Sequence, residues 1–198
     1  MSDDERRPLA VIGMRCVGKT SIGRELARLT GAGFVDLDEE IAAEWSRGPG
    51  AGSAAGAGEV LSELGVERFR GLEAQVLEGV LEQAGPGATG LTVIATGGGC
   101  VETSSVRDQL DRDAWCVHLR EKHERLVERL KRDPQQRPAL TRRGLEEEVD
   151  ELARRRDPLY GMLARVVVDC DGQSVESVAR RVLDELPKAW RDAGRGSG

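Results

Sequence analysis

Aromatic side chains are scarce in this chain. Two Phe, one Tyr and three Trp make up 3% of 198 residues. The core must therefore be aliphatic, filled by Leu, Val, Ile and Ala. The four cysteines, Cys16, Cys100, Cys116 and Cys170, form no C-x-x-C pair. That argues against a zinc site or a disulfide framework, and the expectation is reduced thiols in a cytosol serving as small core residues. No apolar run approaches the length of a membrane span. The start, Met1-Ser-Asp-Asp-Glu-Arg-Arg7, has no apolar stretch of the signal-peptide kind. A frayed end, a cytoplasmic location and no membrane partner are expected. A basic excess is also missing: 29 Lys and Arg face 35 Asp and Glu, for a net charge of −6. That balance argues against non-specific nucleic-acid binding. The two histidines, His118 and His123, fall in a strand and on a helix face, where structural roles are expected.

What the chain does have is a glycine-bounded loop near its start. Gly13-Met14-Arg15-Cys16-Val17-Gly18-Lys19-Thr20 reads G-x-x-x-x-G-K-[ST]. Residues 8–12 before it are a short apolar run suited to a buried strand. Residues 21–29 after it carry apolar side chains at helical spacing. Strand, loop and helix is the context a phosphate-binding loop needs. Its backbone N–H groups turn inward, and the helix N-terminus adds partial positive charge. In such a loop Lys19 reaches the β- and γ-phosphates of a nucleotide, and Thr20 offers its hydroxyl to Mg²⁺.

The rest alternates between strand and helix. Phe34 and Val35 suit a short strand that ends on Asp36 and Asp38, which alternation places on one side of an extended end. Residues 39–45 read as a helix. Residues 48–58 are low-complexity Gly, Ala, Pro and Ser, and read as an exposed flexible insertion. Too few residues precede it for an independent domain. A helix follows over 59–81, with a break at Gly65. Residues 91–96 are a buried strand running into Gly97, Gly98 and Gly99, where missing side chains allow close backbone approach. Further elements are a helical piece at 106–110, a strand at 114–119, a helix at 122–132, a proline-bounded excursion, a helix at 145–155 stopping near Pro158, a strand at 165–169 and a closing helix at 175–186. The pattern predicts an α/β domain over 1–187, with a polar tail at 188–198. Five strands joined by right-handed crossovers form a mainly parallel sheet between helical layers. Ligands then sit at the carboxyl ends of the strands. The loop at 13–20, the two aspartates and the glycine run all fall at such ends, so three separated segments should meet at one site.

Taken together, these residues resemble the shikimate kinase family, among the small P-loop kinases. The resemblance runs from about Leu9 to Leu186. It rests on the loop at Gly13 to Thr20, Asp36-Leu-Asp38, Phe69-Arg70-x-x-Glu73, Gly97-Gly98-Gly99, and Arg137-Pro138 with Arg156-Asp-Pro-Leu-Tyr160. It implies a three-layer α/β/α P-loop kinase fold with a central five-stranded parallel sheet, a substrate-binding region at about 38–82 and a lid at about 132–144. It further implies ATP and Mg²⁺ as cofactors and phosphorylation of the 3-hydroxyl of shikimate, in the route to chorismate and the aromatic amino acids. A monomer acting on small molecules, with no nucleic-acid or membrane partner, goes with that reading.

The resemblance also assigns roles. The nucleotide is contacted by Gly13, Arg15, Cys16, Val17, Gly18, Lys19, Thr20 and Ser21, and by Arg137 from the lid. Thr20 and Asp36 hold the metal. Asp38, Arg70, Gly97, Gly98, Gly99 and Arg156 bind the acceptor, and Lys19, Asp38 and Arg137 carry catalysis. These roles suit the residue types. Phosphoryl transfer needs positioning and charge neutralisation. A carboxylate at Asp38 can take the acceptor's proton. A planar guanidinium at Arg70 or Arg156 pairs bidentately with a carboxylate. Glu73, three residues beyond Arg70 on the same helix face, can orient it. Arg132 is the candidate for stacking on adenine.

Three departures set this sequence apart from the family pattern. Cys16 stands where glycine is usual, and a positive φ there would cost roughly 1–2 kcal/mol. The family's Gly-Glu-x-x-Phe-Arg appears as Gly65-Val66-Glu67-Arg68-Phe69-Arg70, without the first Glu. The segment 48–58 lengthens the acceptor region. The altered stretch leaves open a kinase of another small hydroxylated carboxylate. Cys16 leaves open a catalytically silent, ligand-binding regulatory module.

Overall fold

The computed structural model describes residues 6–48, 56–85, 88, 90–132 and 144–195. Strand β1 (Leu9–Ile12) is followed by α1 (Lys19–Thr30), β2 (Gly33–Asp36), α2 (Leu37–Arg47) and α3 (Ala57–Ala84). Next come β3 (Thr92–Ala95), α4 (Ser104–Asp113), β4 (Trp115–Arg120), α5 (His123–Arg132), α6 (Leu145–Leu163), β5 (Val166–Asp169), α7 (Val175–Glu185) and α8 (Lys188–Arg195). The five strands form one parallel sheet in the order β2-β3-β1-β4-β5. This is the three-layer α/β/α architecture expected from the sequence.

Central β1 explains why its sequence does not alternate. Leu9, Ala10, Val11 and Ile12 are all fully buried, because helices cover both faces of a parallel sheet. Leu9 is in register with Val93 of β3 on one side and with Trp115 of β4 on the other. The chain leaves β1, crosses to the sheet edge at β2 and returns through β3. The carboxyl end of β1 therefore opens at a switch in strand order, where such sheets bind ligands. Helix α1 buries Ile22 and Leu26 against the sheet and packs on α7 and α8. It ends at Gly31 in the left-handed conformation, φ 66°.

Four local expectations are corrected. Asp38 is not on a strand end. Helix α2 begins at Leu37, with Asp36 as its N-cap accepting the Asp38 N–H at 3.1 Å. A cap geometry, not strand alternation, brings the two acids together. Pro158 does not stop a helix, because α6 runs through it to Leu163. Tyr160 and Leu163, beyond the proline, are buried and hold the last turn in place. Residues 188–195 form α8 instead of a polar tail, and Trp190 is fully buried. Burying one indole outweighs a polar local composition. Gly65 does break α3, at φ 73° and ψ 165°, and Ala57 and Gly58 of the expected 48–58 insertion already belong to that helix. The remainder of that insertion at 49–55 and the lid residues 133–143, including Arg137, lie outside the described residues. Among the described residues, no helix is long and apolar enough to cross a membrane.

Candidate active site

The loop between β1 and α1 is shaped by two glycines and one strained residue. Gly13 has φ 143°, and a Cβ there would stand 2.5 Å from the Leu119 carbonyl oxygen. Gly18, at φ 107°, is the N-cap of α1, so the amides of Lys19 and Thr20 open the helix toward the loop. Cys16 adopts φ 61°. Its side chain is partly exposed, unlike Cys100, Cys116 and Cys170, which are buried. The expectation of four core thiols therefore fails at this position. No disulfide joins any of the four cysteines.

Lys19 is buried and donates Nζ to the Met14 carbonyl at 2.8 Å, across the loop. Burial lowers its pKa, while the nearby Asp38 carboxylate favours the charged form. Thr20 donates its hydroxyl to Asp36 Oδ2 at 2.8 Å. A hydroxyl and a carboxylate oxygen thus lie side by side at the mouth of the loop. Among the described residues, no cluster of three or more His, Cys, Asp or Glu could hold a metal. Two hard oxygen donors of this kind fit Mg²⁺, which keeps several waters and takes further ligands from substrate phosphates.

The glycine run after β3 makes room for its neighbours. A Cβ on Gly97 would stand 2.9 Å from Asp38 Oδ1. One on Gly98 would stand 2.9 Å from the Arg15 backbone nitrogen. One on Gly99 would collide with the Arg70 guanidinium and stand 3.2 Å from Arg156 Nη2. Three consecutive glycines therefore bring β3 against the acid on α2, the phosphate-binding loop and two arginines.

Those arginines come from α3 and α6. Arg70 donates Nη1 to Glu73 at 2.7 Å. Glu73 is 1% exposed; burial raises its pKa and the Arg70 guanidinium partly offsets that. Arg156 is buried, and its Nε has no hydrogen-bond partner among the described residues. Both guanidinium groups also meet Glu102, at 3.3 and 2.9 Å, and Arg155 reaches the same carboxylate at 2.6 Å. Tyr160 donates its hydroxyl to the Gly98 carbonyl. Its ring lies 4.8 Å from that of His118, whose pKa burial lowers to about 4. His118 is therefore neutral packing, and His123 pairs with Asp150 at 2.8 Å on the surface.

The phosphate-binding loop, the two aspartates, the glycine run and the arginines open on one cavity of about 1310 Å³. Gly18, Arg15, Cys16, Val17, Lys19, Thr20, Ser21, Asp36, Asp38, Arg70, Gly97, Gly98, Gly99 and Arg156 line it. Of the acceptor, metal and nucleotide candidates that fall among the described residues, only Gly13 and Arg132 are not part of that lining. Sequence reasoning missed Glu102, Arg155 and Arg129. Arg129, not Arg132, reaches the loop, donating Nη1 to the Cys16 and Val17 carbonyls at 3.1 Å each. Arg132 is exposed at the end of α5. The last turn of that helix holds Arg129, Lys131 and Arg132, and only the tertiary structure chooses between them.

The shikimate kinase family model matches residues 15–187. The chain belongs to the shikimate kinase family. A curated shikimate kinase of Shewanella denitrificans is 34% identical over 182 residues, covering 92% of this chain and 98% of the relative. That of Shewanella oneidensis matches at the same identity and coverage. Among solved structures, a shikimate kinase from Acinetobacter baumannii in complex with shikimate superposes with TM-score 0.77 at 28% identity, covering 90% of this chain and 91% of that one. The Aquifex aeolicus shikimate kinase gives 0.70 at 26%, covering 96% and 99%. A gluconokinase from Sinorhizobium meliloti, at 16% identity and TM-score 0.58, shares the fold alone.

Proposed function

We infer that this protein is an ATP-dependent shikimate kinase. It transfers the γ-phosphoryl group to the 3-hydroxyl of shikimate, giving shikimate 3-phosphate for the chorismate and aromatic amino-acid route. One observation carries the reading: a phosphate-binding loop, a carboxylate on Asp38 and the paired guanidinium groups of Arg70 and Arg156 face one cavity. An acceptor for this site needs a hydroxyl near Asp38 and a carboxylate that the arginines can hold, on a frame short enough to span the two.

In this reading the loop amides and Lys19 hold the β- and γ-phosphates. Thr20 and Asp36 would hold Mg²⁺, which when bound would supply charge neutralisation at the transferring group. Asp38 accepts the hydroxyl proton as the acceptor oxygen forms its bond to phosphorus and the bond to the β-phosphate oxygen breaks. Arg70 and Arg156 fix the acceptor's carboxylate bidentately, which sets which hydroxyl meets Asp38. Gly97, Gly98 and Gly99 let the acceptor approach β3. Arg137 would add a further positive charge at the transferring phosphoryl group. We further propose a cytoplasmic monomer working on small molecules without membrane partners; the absence of a basic excess argues against non-specific nucleic-acid binding.

The test is product chemistry. Phosphorus and proton NMR of the product formed from ATP, Mg²⁺ and shikimate should place a single phosphate on the 3-oxygen. Phosphate on another oxygen, or on none, would refute the assigned geometry.

A further inference from the structure

Glu102 closes the short 3-10 turn Cys100–Glu102 directly after the glycine run. Its two oxygens are used differently. Oε2 takes Arg156 Nη2 at 2.9 Å and Arg70 Nη2 at 3.3 Å. Oε1 takes Arg155 Nη2 at 2.6 Å. The arginines also differ: Arg156 and Arg70 side chains are 9% and 20% exposed, whereas Arg155 is 55% exposed. One oxygen therefore bridges two inner guanidinium groups, and the other is tied to an arginine at the rim. Burial alone would raise the pKa of Glu102. The hydrogen bonds and charges of Arg156 and Arg155 outweigh that and hold it below the ordinary carboxylate value, so it is ionised at neutral pH.

A carboxylate oxygen bridging two arginine Nη atoms is the contact expected of the acceptor's own carboxylate. We propose that Glu102 sets the affinity of the acceptor site for its acid as a resident carboxylate. In the substrate-free protein its Oε2 occupies the seat between Arg70 and Arg156, and an entering acid displaces it while Oε1 stays on Arg155. This rests on the reading of Arg70 and Arg156 as the acceptor's carboxylate subsite. Glu73 cannot play the part, because it is 1% exposed and holds Arg70 through the other nitrogen, Nη1. Arg70, Arg155 and Arg156 carry three positive charges against two on Glu73 and Glu102, so one net charge remains for a monocarboxylate. Only an anion replaces Oε2 without stranding the arginines. A neutral polyol leaves Glu102 in place. Glu102 thus competes only with the acceptor's carboxylate, at a cost in acid affinity set by how seldom the seat stands open.

The experiment is calorimetric binding of shikimate to the full chain without nucleotide, with shikimate methyl ester as the neutral probe. Glu102→Gln should bind shikimate about tenfold more tightly than wild type, as expected if the seat is open in roughly a tenth of molecules. The ester should gain far less. A permanent brace for the arginines would give the opposite sign, so unchanged or weaker shikimate binding in Glu102→Gln overturns the proposal. Equal gains for acid and ester overturn it as well. Arg155→Ala, at the exposed rim, gives a second reading should Glu102→Gln fail to fold. It removes the anchor of the displaced carboxylate and should weaken shikimate several-fold; no change overturns the proposal. Arg70→Lys and Arg156→Lys in the same assay test the underlying subsite. If neither weakens shikimate relative to its ester, the subsite reading fails, whatever Glu102→Gln does.

Discussion

Arg129 clamps the phosphate-binding loop: its Nη1 donates to the carbonyl oxygens of both Cys16 and Val17, each at 3.1 Å. Its Nη2 is held by Glu121 at 3.1 Å, and that carboxylate also accepts the Gly172 N–H at 3.2 Å. Two loop carbonyls are thereby fixed toward Arg129. Replacing Arg129 with Lys keeps the charge and loses the fork. ATP affinity should fall on the order of tenfold, the scale of one charge-assisted hydrogen bond, while shikimate affinity stays put. Calorimetry with each ligand separately checks this, and equal losses for both would mean a general collapse of the site.

Cys16 sits in that same loop at φ 61°. A left-handed conformation costs an L-residue roughly 1–2 kcal/mol, and glycine gives part of that back as unfolded-state entropy. Cys16→Gly should therefore stabilise the nucleotide-free protein by about 0.5–1 kcal/mol. Urea unfolding without ligand measures it. A loss of stability would show that the thiol makes contacts worth more than the strain.

His118 gives a pH signature. Burial chiefly, with the Arg120 charge, lowers its pKa from 6.5 to about 4. Between those values the unfolded chain holds a proton that the folded chain refuses. The stability it contributes is complete above about pH 6.5 and is lost as pH falls toward about 4. From pH 7 to pH 5 the loss from this group is roughly 2 kcal/mol. The stability difference between wild type and His118→Phe should change by that amount over the same range, measured by urea unfolding. A difference flat in pH would mean His118 is protonated in the fold.

Asp38→Asn keeps the size of the side chain and removes the proton acceptor. ATP binding should be retained, and turnover should fall by about 10²–10⁴-fold. Stopped assays with saturating ATP and shikimate, alongside nucleotide binding, separate the two effects. Turnover near wild type would take Asp38 out of the chemistry.

The phosphate-binding loop was legible because its spacing and flanks are local, and β1, α1 and the turn between them follow from the one stretch at 8–29. Strand count and parallel order followed from alternation with helices. The convergence of Asp36, Asp38 and the glycine run was foreseen, but for the wrong local reason. Strand alternation cannot tell that Asp36 caps a helix starting one residue later. Trp190 and the last turn of α6 were missed because local composition and a proline argue against helix, while burial decides for it. Glu102 was invisible for a different reason. Its partners Arg70 and Arg156 are 32 and 54 residues away in sequence, and no periodicity records such a meeting. Arg129 differs from its neighbours on α5 only by the face it presents.

The central claim is that this site passes phosphoryl from ATP to a hydroxylated acid bound between Asp38 and the two arginines. ADP release in the presence of ATP and Mg²⁺, across a panel of hydroxy acids with shikimate first, tests it most directly. The account predicts saturable, shikimate-dependent ADP formation with shikimate 3-phosphate formed one for one. ADP release no greater with shikimate than without it, in a protein that binds both ligands, would contradict it.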